Sequence, residues 1–275
     1  MPPLVEIALI ARRELRRNLR SAKGLLLLAL SASGGGLTAL ALHKLHAAGA
    51  DTLGPEQLEQ LAQEAATRSY NEEIGRSLSH APITLLFLLP ISIWLAPLLV
   101  SLVGFDTLSS DLQFRTIRYW TVRARRESIF IGKVAGLWAA ISLCTLATQA
   151  VAWGVLLGKG ESSAVEMLTW GAKLWAMTLP MGLVWCAIAV LVSGQFRSPM
   201  LSMLTLQVVF IAIWAVHLFA KMRDYEWMTR LYPNNFDSLI LSPDLATAAL
   251  GVFGCLVYAA IVTATGALLF AKRDV

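Results

Sequence analysis

Charge is scarce in this chain: 15% of its 275 residues are Asp, Glu, Lys or Arg, 56% are apolar, and the mean hydropathy is +0.62. That is too little polar surface to coat a water-soluble fold, which excludes a soluble globular protein. No charged residue falls in the middle of any long apolar run. The intramembrane ionisable groups of proton- and ion-coupled carriers and voltage sensors are therefore missing, as are the two opposed carboxylates of an intramembrane aspartyl protease. No Gly-x-x-x-x-Gly-Lys-Ser/Thr phosphate loop occurs, so the chain is not by itself an ATPase of that class. Cysteine is limited to Cys144, Cys186 and Cys255, all within apolar runs and without Cys-x-x-Cys spacing, which reads as buried filler. The 23 Lys and Arg exceed the 18 acids, for a net charge of +5. They flank apolar runs and do not form a face interleaved with base-stacking aromatics, so no nucleic-acid partner is expected.

What is present is a series of six apolar runs, 24–42, 82–104, 134–157, 174–193, 199–220 and 245–271, each near the ~20 residues a bilayer demands. The expected fold is an all-α membrane protein, with residues 1–275 forming a single six-span transmembrane domain. Pro90, Pro97 and Pro180 lie inside spans, where kinks are expected in place of breaks. From 4 to 20 the chain is amphipathic: Leu4, Ile7, Ala8, Ala11, Leu15 and Leu19 share one arc, and Arg12, Arg13, Arg16, Arg17 and Arg20 the other. This reads either as a helix lying in the membrane interface against anionic lipid or as a basic flank that orients the first span. Its basic start, apolar run and Ala48-Gly49-Ala50 also resemble a secretory signal. The run exceeds the usual 7 to 15 residues of such a region, so the first span is expected to be retained.

Residues 43–81 are polar and expected outside, with Gly54-Pro55-Glu56 starting a short helix through Leu58, Leu61 and Ala65. His43 and His46 read as interfacial. The aromatic segment 221–244, with Tyr225, Trp227, Tyr232 and Phe236, reads either as a re-entrant hairpin or as an interfacial loop. Placing both termini in the cytoplasm puts fifteen of the 23 Lys and Arg on that side. Six of them crowd the segment 105–133 between the second and third spans.

Small residues cluster in the first span. Ala29, Ala32, Ser33, Gly34, Gly35 and Gly36 permit close helix approach and are the expected contact between two copies of the chain. Among intramembrane polar residues, Gln149 and Gln207 read either as lining a pathway or as ordinary interhelical hydrogen bonds.

The segment Ser109-Ser110-Asp111-Leu112-Gln113-Phe114-Arg115-Thr116 resembles the Ser-Gly-Glu-x-Glu-x-Gly-Thr stretch that follows the second span in type-2 ABC transporter permeases. Arg126-Glu127 and Gly132-Lys133 are similar to that family's Arg and Gly-Lys ahead of its third span. The six-span layout, the amphipathic start and the ending Phe270-Ala271-Lys272-Arg273-Asp274 fit as well. Departures are Ser110 for Gly, Gln113 for the second acid, Arg115 for Gly, and no proline among Val122 to Arg125.

The resemblance implies a multi-pass permease of the bacterial inner membrane, an exporter subunit that is not itself catalytic and holds no cofactor. ATP and Mg would be bound by a separate ATP-binding-cassette subunit, and a second permease copy or homologous permease would complete the path. It further implies a cytoplasmic coupling helix seated in the ATPase and formed by Ser109, Ser110, Asp111, Arg115, Thr116, Ile117, Arg118, Tyr119, Trp120, Arg123 and Arg126. Ser109 or Ser110 is expected to cap that helix, with Asp111 in its first turn. A membrane scaffold that anchors a cytoplasmic partner, and an ATP-independent channel or carrier, are the alternatives.

Overall fold

The computed structural model describes residues 2–54, 57, 60, 64, 72–78, 81–160 and 162–273, and among them every regular element is helical. The amphipathic start is α1 (Pro3–Arg20). A sharp elbow at Ser21 leads into α2 (Ala22–Leu53), followed by α3 (Glu72–Leu78) and α4 (Ile83–Gly104). Two short helices, α5 (Ser109–Gln113) and α6 (Ile117–Thr121), precede α7 (Arg126–Gly158) and α8 (Ala164–Ser193). Next come α9 (Pro199–Met222), α10 (Glu226–Thr229), a 3-10 turn (Pro233–Phe236), α11 (Asp237–Ile240) and α12 (Leu245–Ala271). Six of these, α2, α4, α7, α8, α9 and α12, are long and apolar enough to cross a bilayer, which makes the chain a multi-pass membrane protein. The centre of the bundle is α7, against which α1, α2, α8 and α12 all pack.

Helices overrun the apolar stretches that announce them. The helix of the first span continues through His43, Lys44 and His46 to Leu53, beyond the expected end at Leu42, and stops where Gly54 takes a left-handed φ of 83°. Residues 43–53 are thus part of a membrane-length helix and not of a separate loop. Of the helix expected from Pro55 to Ala65, Gln57, Gln60 and Glu64 are described and helical, and the rest lies outside the described residues. The fourth span starts at Ala164, well ahead of Leu174, because the Ser163 hydroxyl accepts from the Glu166 amide at 3.2 Å and caps it.

Both α4 and α8 run unbroken through their prolines. Pro97 removes the amide that would bond to Ile93, and the Asn234 side chain supplies the replacement, donating to the Ile93 carbonyl at 3.1 Å. The same amide accepts from Trp185 Nε1 at 2.8 Å. The segment 221–244 therefore folds back as a packed hairpin. Asn234 reaches about 15 Å along α4 from its first residue, and Gly251 and Gly254 of α12 leave room for Leu239, Ile240 and the Phe236 ring. Cys144, Cys186 and Cys255 are all buried and unpaired.

One sequence expectation needs correction here. Gly35 is packed against α7 of its own chain, where a Cβ would lie 2.1 Å from the Thr148 carbonyl oxygen, and Gly36 sits against Val151. These two glycines serve the α2–α7 contact and are not free for a second copy, while Ala29, Ser33 and Gly34 are exposed and Ala32 is half-buried. Gln149 donates to the Ser92 hydroxyl at 2.9 Å and Gln207 to that of Ser101 at 2.8 Å, so both make interhelical hydrogen bonds.

Candidate functional site

Three helix ends meet at the basic end of the bundle, and glycines let them. At the elbow, Ser21 Oγ donates to the Asn18 carbonyl at 3.1 Å and accepts from the Gly24 amide at 2.9 Å. A Cβ on Gly24 would fall 1.4 Å from that same carbonyl oxygen, so the turn admits glycine alone. From the elbow α1 runs back across α7 over Gly132 and Gly136. A Cβ at these positions would lie 2.7 Å from Ile10 Cβ and 2.5 Å from Glu14 Cβ. The inner face of α1 is therefore Glu6, Ile10 and Glu14, all buried against the protein. The helix is docked on α7, while Leu4, Val5 and Leu9 stay exposed.

Between those two glycines stands Lys133, only 1% exposed. Its ammonium meets Glu14 Oε2 at 2.9 Å, Asp111 Oδ2 at 2.5 Å and the Thr107 carbonyl at 2.9 Å, which fills its three donor positions. Thr116 Oγ1 donates to the other Asp111 oxygen at 2.8 Å. Arg17 pairs with Glu14 and stands 3.8 Å from Asp111. Two cations and two carboxylates thus join α1, the segment after α4 and α7 in one compensated cluster. Such a cluster forms only when all three elements are in place, because an unpaired charge here is costly. Nearby, the Ser128 hydroxyl and the Arg125 amide hold the Glu6 carboxyl below its usual range.

The end of α4 is pinned from the other side. Ser193 Oγ accepts from the amides of Leu108 and Ser109 at 3.0 and 3.1 Å and donates to the Phe105 carbonyl, to which Ser202 also donates. Arg126 donates to the Ala271 and Arg273 carbonyls at 2.8 and 2.7 Å, closing the last turn of α12 onto the start of α7.

The eleven candidate residues of the basic segment split by this geometry. Ser109, Asp111 and Ile117 are buried inside the chain and unavailable to any partner. Ser110, Thr116, Trp120 and Arg126 are half-buried, while Arg115, Arg118, Tyr119 and Arg123 are exposed. Neither serine caps a helix: Ser109 and Ser110 donate back to the Phe105 and Asp106 carbonyls, and the position ahead of α5 is Leu108. The expected single helix is two, broken at Arg115, whose φ of 56° is left-handed. An L-residue other than glycine pays roughly 1–2 kcal/mol for this backbone. Arg115→Gly is accordingly expected to raise the stability of the purified chain by up to about 1 kcal/mol, read as a higher melting temperature, with Arg115→Val moving it the other way.

The exposed surface of α5, α6 and their joint is both apolar and basic: Phe114 is 72% and Tyr119 79% exposed. Trp120 lies under Arg13, whose guanidinium carbon stands 4.2 Å from the ring centroid. Between α1 and α6 opens a cleft of 410 Å³ lined by Glu6, Arg13, Thr116, Tyr119, Trp120 and Arg123. An apolar and cationic surface with a cleft, held up by a rigid charge cluster, is suited to seating a protein partner.

Glu14, Ser193 and Ser202 were the residues that sequence reasoning missed. The spacing Glu6, Ile10, Glu14 opposite Gly132 and Gly136 carried a signal for the first; nothing in the sequence singled out the two serines. Against known families, the one described as a protein of unknown function (DUF2705) matches residues 67–275. That match covers Asp111 and Lys133 and leaves α1 and α2 outside it. No curated protein matches the chain.

Proposed function

From the premise that the chain belongs to the DUF2705 family of proteins of unknown function, we propose that it is the membrane-spanning subunit of an ABC transporter. The transporter is an exporter of the bacterial inner membrane, driven by ATP and Mg bound in a separate cytoplasmic subunit and completed by a second permease copy. In this reading both termini are cytoplasmic, and the exposed surface of α5 and α6 seats the ATPase.

The observation that carries the reading is a convergence. Asp111 and Thr116, and Lys133 of the Gly-Lys pair, come from the two separated stretches that resemble the permease family, and they share one buried cluster. Arg115, which stands where that family has glycine, has the left-handed backbone that favours glycine, which supports the resemblance at the backbone as well as at the side chains. Buried charge beneath an exposed aromatic surface makes a stiff peg. Motion of a partner at Tyr119 would pass through Asp111 and Lys133 to α7, and through Glu14 to α1 and α2.

The test is co-purification and transport. Tyr119→Ala removes an exposed ring without touching the fold and is expected to weaken retention of the ATPase by about 30-fold, the scale of an interface hot spot of ~2 kcal/mol. Arg115, Arg118 and Arg123 changed together to Lys should retain it, since exposed pairs contribute only ~0.2–1 kcal/mol. If a partner stays bound yet ATP hydrolysis moves nothing, the chain is an anchoring scaffold; if no ATPase associates with the wild type, the proposal fails.

A further inference from the structure

A groove of 290 Å³ lies between α2 and α4, floored by Thr145 and Thr148 of α7. Its walls are leucines: Leu27 and Leu30 on α2, Leu95, Leu98 and Leu102 on α4. Leu30, Leu95 and Leu98 are exposed along its rim, and Gly34 leaves the rim open, since a Cβ there would meet nothing within 4 Å. Both walls are membrane-length helices, so the groove opens sideways onto lipid.

Two polar features set it apart from an ordinary lipid-facing crevice. Ser31 lines it, is 7% exposed, and its hydroxyl has no partner. The neighbouring hydroxyls of Ser33, Ser92, Thr145 and Thr148 all donate to carbonyls of their own helices. A buried, unpaired hydroxyl favours a ligand that brings an acceptor. At the basic end, Lys23 ties the walls together through Asp106 Oδ1 at 2.8 Å and the Val103 carbonyl at 3.2 Å. Across the elbow, Arg16 and Arg20 are exposed and make no ion pair among the described residues.

We propose that this groove holds one anionic phospholipid of the leaflet at the basic end. Its acyl chain lies between the leucine walls, an ester carbonyl accepts from Ser31, and its phosphate meets the cationic elbow at Arg20 and Lys23. The rise from Lys23 to Ser31 is about 12 Å, bridged by the glycerol backbone together with the reach of a long basic side chain. A net cationic mouth attracts an anionic head and not a zwitterionic one.

Native mass spectrometry of the full chain in detergent tests this, with dioleoyl phosphatidylglycerol and dioleoyl phosphatidylcholine titrated separately. The wild type is expected to retain one phosphatidylglycerol at least tenfold more tightly than phosphatidylcholine. Gly34→Phe places a ring in the groove without a backbone clash and should release that lipid; Arg20→Gln, a surface change, should bring the two lipids to equal affinity. Equal retention of both lipids by the wild type would overturn the proposal, as would undiminished phosphatidylglycerol binding by Gly34→Phe. If Gly34→Phe instead separates paired chains with lipid binding unchanged, the groove belongs to a second copy and the lipid assignment is wrong.

Discussion

Lys133→Met should destabilise the chain by about 3–5 kcal/mol, the usual cost of breaking a buried ion pair from one side. The methionine fills nearly the same volume, so the loss is electrostatic. Asp111 loses its 2.5 Å partner and Glu14 its 2.9 Å partner, and both carboxylates stay buried. Arg17 offers partial relief: it already pairs with Glu14 but stands 3.8 Å from Asp111. Neutralising the carboxylates as well, with Asp111→Asn and Glu14→Gln in the Lys133→Met background, should recover most of the loss, because an apolar or neutral replacement of a whole buried cluster is often close to neutral. Chemical unfolding in detergent, followed by tryptophan fluorescence, gives the comparison. A triple variant as unstable as the single one would mean that the lysine stem, and not its charge, holds this junction together.

The spans were legible in the sequence because each is an apolar run of membrane length, and that signal needs no partner. Their ends were less legible for a physical reason. Arg126, Glu127 and Lys133 look like loop residues by composition, yet they lie within α7, because Arg126 finds the carbonyls of α12 and Lys133 finds two carboxylates. Polarity predicts a helix end only where the polar group must go to water. The start of α8 could have been read: Ser163-Ala164-Val165-Glu166 has the spacing of a capping box.

The candidate site was half legible. The segment itself is conspicuous by its charge, and Asp111 does stand in the first turn of α5 as expected, but its ion-pair partner 22 residues away on another helix is not legible. Glu14 was hidden because an arginine-rich helix reads as a surface helix with the arginines deciding its orientation. Its buried stripe of Glu6, Ile10 and Glu14 makes sense only once the small-residue surface of α7 is known to receive it. The small residues at Gly35 and Gly36 misled in the opposite sense. Close approach is legible there, but composition does not say whether the helix that approaches belongs to the same chain.

The docking of α1 provides the second large effect. At Gly136 a Cβ would lie 2.5 Å from Glu14 Cβ and 2.8 Å from the Ala11 carbonyl oxygen, and the latter is backbone that no rotamer change can move. Gly136→Leu therefore has one way to fit, which is to lift α1 off α7 and withdraw Glu14 from Lys133. Overpacking of this kind costs ~1–3 kcal/mol, and the upper end is expected where the obstacle is main chain. Because α1 is joined to α2 only through the non-helical residue Ser21, the cost should appear as local opening and leave α8 and α12 protected. Amide hydrogen exchange on the intact protein in nanodiscs should show residues 3–20 exchanging at least about tenfold faster, a factor worth 1.4 kcal/mol. Gly154→Leu is the matched control: it lies on the same helix with nothing within 4 Å of its Cβ position, and it should leave α1 exchange unchanged. Equal exchange of α1 in the two variants would show that Gly136 does not seat this helix, and Glu14 would then reach Lys133 by some other route than close packing on α7.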